Sequence, residues 1–173
     1  VLADLMTIRE RKARLEGLKM CFIGDGNNMV NSLIVGCLKV GMEVSVACPE
    51  GYDPHPDVLA FAKSDPSFRF TLCRDPRQAA VGADVVFTDV WASMGQEEER
   101  AVRAAAFAGY QVNDRLMTLT NPGCMVQHCL PAHRGEEITA EVFEAHADEI
   151  FDEAENRLHA QKAVLCLLMG EDA

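Results

Sequence analysis

The feature that most constrains this chain is a repeated switch in hydrophobic period. Short, nearly unbroken apolar runs of strand length alternate with longer segments whose apolar residues recur at helical spacing. The strand-like runs are "LKMCFIG" at 18–24, "MEVSVACP" at 42–49, "FRFTLC" at 68–73, "DVVFTDV" at 84–90 and "CMVQHCL" at 124–130. Between them the periodicity predicts helices over 27–41, 56–65, 75–83, 97–109 and 114–120. A short helix over 140–146 and a long last helix over 153–170 follow. Strands that are apolar at almost every position belong to sheets covered on both faces, and strands separated by helices pair in parallel. The expected fold is therefore α/β: a three-layer, Rossmann-like domain with a mostly parallel five-stranded sheet and helices on both faces. Residues 1–173 form one such domain, large enough for a real core. In an open parallel sheet, ligands sit at the carboxyl ends of the strands.

Composition narrows the function. The formal net charge of -11 argues against a nucleic-acid partner, which needs a basic face. No apolar run is long enough to span a bilayer and no basic amphipathic segment suggests a membrane surface. The start shows no secretory leader pattern. Seven cysteines stand at 21, 37, 48, 73, 124, 129 and 166 without a C-x-x-C. Most lie in apolar stretches, which reads as reduced core thiols in a cytoplasmic setting. "VLADLMTIRERKARLEG" has apolar residues at helical spacing but no N-cap before it. It reads as a helix interrupted at its beginning, and the chain as part of a longer protein.

Three strand ends and one helix carry reactive groups. After the first strand comes "GDGNN", 24–28, a Gly-rich turn that lacks the third glycine of a dinucleotide loop because Met29 stands there. It is either a tight turn with an asparagine capping the next helix, or a place where Asn27 and Asn28 offer amides to a carboxylate. After the fourth strand comes "DVWASMG", 89–95. Asp89 either satisfies loop N–H groups or holds a cationic group, and Ser93 and Met94 follow it. After the fifth comes "HCLPAHRGEEIT". A metal site from His128, Cys129 and His133 lacks a fourth ligand and a recognised zinc spacing. A Cys–His nucleophile pair is opposed by strand geometry, which sends neighbouring side chains to opposite faces. A core thiol flanked by surface histidines is the bland alternative. In the last helix Arg157 is expected in the first turn or two, as a surface partner of Glu153 or Glu155 or as a donor pointing into the cleft. Taken together, an amide pair, a carboxylate, a thiol and a guanidinium along one sheet edge form a recognition set for an α-amino acid.

The stretches "GDGNN", "DVWASMGQEEE", "HCLPAHRGEEIT" and "DEAENRLHAQKA" resemble the ornithine carbamoyltransferases, over essentially the whole chain but only the second half of such an enzyme. The resemblance implies that Asn28, Asp89, Ser93 and Met94 bind ornithine. It implies that Cys129 and Leu130 lie where the two substrates meet, and that Arg157 contacts carbamoyl phosphate near its carbonyl. Cys129 and Arg157 are the implied catalytic residues. The implied reaction is attack of the ornithine δ-amino group on carbamoyl phosphate to give citrulline and phosphate, with no metal or organic cofactor. The family forms homotrimers, chiefly through a first domain. That domain's Ser-Thr-Arg-Thr loop and H-P-x-Q segment do not occur here. Residues 1–16 would be the helix crossing from it. The chain alone is then expected to lack most of the carbamoyl phosphate site, to be inactive, and to expose an apolar face. Two other readings stay open: a non-catalytic amino-acid-binding or interaction domain, and a dinucleotide-binding module.

Overall fold

The computed structural model of the chain describes residues 1–67, 69–92 and 97–170. Five strands, β1 (Lys19–Ile23), β2 (Glu43–Ala47), β3 (Phe70–Cys73), β4 (Val85–Thr88) and β5 (Met125–His128), form one sheet in the order β3-β2-β1-β4-β5. Every pairing is parallel; Phe22, for example, lies between Val46 and Phe87. The helices are α1 (Leu2–Lys12), α2 (Asn28–Lys39), α3 (Pro56–Lys63), α4 (Pro76–Ala80), α5 (Arg100–Ala106), α6 (Asp114–Met117), α7 (Ala140–Ala145) and α8 (Ala147–Met169). A 3₁₀ turn at Glu97–Glu99 leads into α5.

Alternation along the buried strands splits the core in two, as a sheet covered on both faces requires. Met20, Phe22, Val44 and Phe87 face Leu5 and Ile8 of α1 and Leu33 and Ile34 of α2. Cys21, Ile23 and Val86 face Ala79, Phe107, Leu116, Phe143 and Ile150 on the other side. The expected three-layer α/β architecture is the one observed. The chain runs outward from β1 to β3, then returns to build β4 and β5 on the other side of β1. The direction of winding therefore reverses between β1 and β4, and a crevice opens at their carboxyl ends.

Three helices open on side-chain caps. Asn27 accepts from Met29 N and Val30 N, Asp75 from Arg77 N and Thr139 from Val142 N. The last helix departs from expectation by starting at Ala147 rather than 153. Asp148 and Glu149 stand in its first turn, where the helix dipole favours acids, and Ile150 is buried beneath them. Arg157 consequently lies in the third turn, not the first two. Among the described residues no helix is long and apolar enough to cross a membrane.

Candidate functional site

The crevice is built from three strand ends. Gly24 leaves β1 with φ 150°, and Gly26 passes so close to the next loop that a Cβ would meet the Asp53 main chain at 2.2 Å. This packing sets Asn27 at the start of α2. Asn27 then serves two ends. Its Oδ1 caps α2, and its Nδ2 donates to Asp89 Oδ2 at 2.7 Å. The capping reading of "GDGNN" holds for Asn27, while the neighbouring Asn28 is exposed and faces the cleft.

Asp89, buried just past β4, also accepts Val90 N at 2.8 Å and the Cys129 thiol at 3.1 Å through Oδ1. Its loop-satisfying role is thus real, and its second oxygen edge is turned toward β1. Burial, then the Asp89 charge, pushes the Cys129 thiol well above its ordinary range. Cys129 is therefore a neutral S–H donor to Asp89 and not a thiolate nucleophile.

His128 is fully engaged elsewhere. Its Nδ1 accepts the Leu130 main-chain N–H at 3.0 Å, which assigns the proton to Nε2, and Nε2 lies 3.1 Å from Glu137 Oε1. The same oxygen accepts His133 N at 2.6 Å. With both ring nitrogens used, His128 is not a base for Cys129. One ligand atom each of Asp89, His128 and Cys129 lies within 4.8 Å of the others. His133 groups instead with Glu136 and Glu137, so the three residues weighed as a metal site do not converge. Within the first trio the Cys129 thiol bonds Asp89, while both ring nitrogens of His128 are engaged by Leu130 and Glu137.

Between these strand ends and the helices α1 and α8 lies a cleft of about 900 Å³, lined by Asn28, Cys129, Leu130 and Arg157 among others. Asp89 reaches it through the thiol. Arg157 is exposed to the cleft, and its suggested partners are occupied: Glu153 binds His128 N and Glu155 lies 3.6 Å from His159. Its fork is thus available for an anion or a polarised carbonyl. Ser93 and Met94 lie outside the described residues.

Sequence reasoning missed the roles of four residues. Arg103 ties the loops together by donating to Asp25 Oδ2 and the Trp91 carbonyl, both at 2.9 Å. Glu137 fixes His128, and Glu153 with Asp4 lines the cleft floor. All of these charged residues are buried, and a charge-rich helix start or a "GEE" reads as solvated surface.

The family model for the aspartate/ornithine carbamoyltransferase Asp/Orn-binding domain matches residues 16–168. The ornithine carbamoyltransferase of Carboxydothermus hydrogenoformans is 53% identical over 173 residues, covering 98% of this chain and 56% of that protein. That of Gloeobacter violaceus is 54% identical, covering 98% of this chain and 55% of the relative. Among solved structures, the ornithine carbamoyltransferase from Pyrococcus furiosus superposes with a TM-score of 0.89 at 48% identity, covering 97% of this chain and 55% of that one. The chain spans about half the length of the curated relatives it matches.

Proposed function

The chain belongs to the Asp/Orn-binding domain family of the aspartate and ornithine carbamoyltransferases, and on that premise we propose that it is the ornithine-binding half of an ornithine carbamoyltransferase. The full-length enzyme would transfer the carbamoyl group of carbamoyl phosphate to the δ-amino group of L-ornithine, giving citrulline and phosphate. The observation that carries this reading is convergence. Asn28, Cys129, Leu130 and Arg157, from three separate segments, line one cleft at the point where strand order reverses, and Asp89 bonds Cys129.

In this reading the amide of Asn28 takes the ornithine carboxylate. Asp89, with Ser93 and Met94 a few residues further along the sequence, takes the α-ammonium end. The δ-ammonium must lose a proton before its lone pair can attack the carbonyl carbon. The neutral thiol of Cys129, bonded to Asp89, orients that amine, and the proton lost on attack passes to the departing phosphate. Arg157 stabilises the negative charge that grows on the carbonyl oxygen, and the C–O bond to phosphate then breaks. Alignment of two substrates supplies much of the acceleration. The phosphate would be held by a further domain packed against α1 and α8, so the chain alone is inactive. We assign the enzyme to the cytoplasm, as a homotrimer assembled through that further domain, with no cofactor.

The test is calorimetric titration of the chain with L-ornithine, beside an Asp89→Ala variant. Saturable binding that the variant loses is the expected result. Binding unchanged in the variant removes Asp89 from the site. No binding by either, followed by no citrulline formation once a carbamoyl phosphate domain is supplied, sinks the assignment.

A further inference from the structure

Two carboxylic acids that the ornithine reading leaves unused lie side by side on the cleft floor. Asp4 comes from α1 and Glu153 from α8; they are 2% and 1% exposed and line the same cleft. A carboxylate can only accept, so two ionised groups at contact distance repel and form no bond. One proton between two such buried acids removes that repulsion. Both residues also hold β5, Glu153 by its carboxylate at the outer edge and Asp4 by its main chain. Glu153 Oε2 accepts His128 N at 3.1 Å, and the Asp4 main-chain carbonyl accepts Gln127 Nε2 at 3.2 Å. These are the two residues before Cys129.

We propose that Asp4 and Glu153 share a single proton, and that this acid pair is a positioning device which ties α1 to α8 and fixes the main chain presenting Cys129 and Leu130 to the cleft. The pair stands whichever amino acid the cleft takes; only its effect on ligand affinity rests on the ornithine reading. The charged and titratable groups facing it within the cleft are Cys129, with Asp89 behind it, and Arg157. Burial first, and the Asp4 charge next, push the Glu153 carboxyl from 4.5 up to about 9. A raised acid holds its proton in the folded state and loses it in the unfolded one. The stability it contributes is fully present below 4.5 and drains away as pH rises through about 9.

The experiment compares the chain with Glu153→Gln and Glu153→Ala by infrared spectroscopy in D₂O, by melting across that pH window, and by L-ornithine titration. A protonated-carboxyl stretch at neutral pH in the parent, absent from both variants, is expected. Glutamine keeps an acceptor for His128 N–H and gives Asp4 a permanent donor. Glu153→Gln should therefore melt within a few degrees of the parent at acid pH, and should lose the parent's decline toward alkaline pH. Glu153→Ala should melt lower throughout and bind ornithine more weakly. A parent without the carboxyl band, or a glutamine variant as damaged as alanine at acid pH, overturns the proposal. If the band and the pH profile appear while even the parent ignores ornithine, the pair is upheld and the substrate assignment is what fails.

Discussion

The Arg103 guanidinium is 7% exposed and divides its donors among three segments. Nη1 bonds Asp25 and the Trp91 carbonyl, Nε bonds Glu99 at 3.0 Å, and the group lies 5.2 Å from the Tyr52 ring centre. Asp25 follows β1, Tyr52 follows β2 and Trp91 follows β4, so one side chain fastens the loops of the three central strands. Burial pushes the Asp25 carboxyl up, and Arg103 is the group that holds it down. Removing the cation strands a buried carboxylate, and such losses cost about 3–5 kcal/mol. Arg103→Leu should lose that much in denaturant unfolding, whereas Arg103→Leu with Asp25→Asn should recover a large part, because no buried charge is left alone. A single variant no worse than the double would show that the pair is not what fastens these loops. Lysine should rescue poorly, since a point charge cannot bond Asp25, Glu99 and a carbonyl in one fork.

At the scale of elements, the outer edge of β5 is closed by a helix. Glu149 and Glu153, one turn apart on α8, accept the N–H groups of Val126 and His128, two residues apart on the strand. The spacings agree: one helical turn rises about 5.4 Å and two strand residues about 6.6 Å. An edge strand so capped cannot pair with another chain. Glu149→Ala should leave Val126 N–H without a partner at a cost of about 1–3 kcal/mol. Amide exchange should accelerate at Val126 and stay slow at Val86 inside the sheet; equal acceleration at both would mean general loosening rather than an opened edge. This element also marks the limit of what the sequence reveals. All five strands were legible because each is an apolar run, and Asn28, Asp89 and Cys129 stood out because each is a polar residue at or just beyond such a run's end, whereas Leu130 was singled out by the resemblance alone and Arg157 by its place in a helix. The start of α8 was not. "ADEIFD" reads as polar connection, yet its acids face a strand edge instead of water. Periodicity assigns charge to solvent, so it cannot register an acid whose partner is a main-chain N–H. Glu137 was passed over, and Glu153 read only as a surface partner of Arg157, for that reason.

For the molecule as a whole, the apolar residues that find no core are concentrated on α8. Leu158, Leu165, Leu167, Leu168 and Met169 are exposed, Leu168 at 79%, and Leu2 of α1 is exposed nearby on the cleft rim. Single exposed leucines are ordinary, but a cluster on one helix marks a contact surface. Each such side chain forgoes about 1.5–3 kcal/mol that burial would return. The net charge of -11 opposes close approach of two copies, and salt weakens that opposition. The isolated chain should therefore bind an apolar fluorescent dye and grow in hydrodynamic size as ionic strength rises. Leu165→Lys with Leu168→Lys should suppress both while leaving the helical circular dichroism intact, because neither residue contributes to the two core clusters. On our reading of function, a supplied carbamoyl phosphate domain should suppress them equally in the unaltered chain, by covering the same face, and should fail to associate with the lysine variant. Dye binding that persists in the variant would move the exposed surface off α8 and leave the proposed domain contact without support.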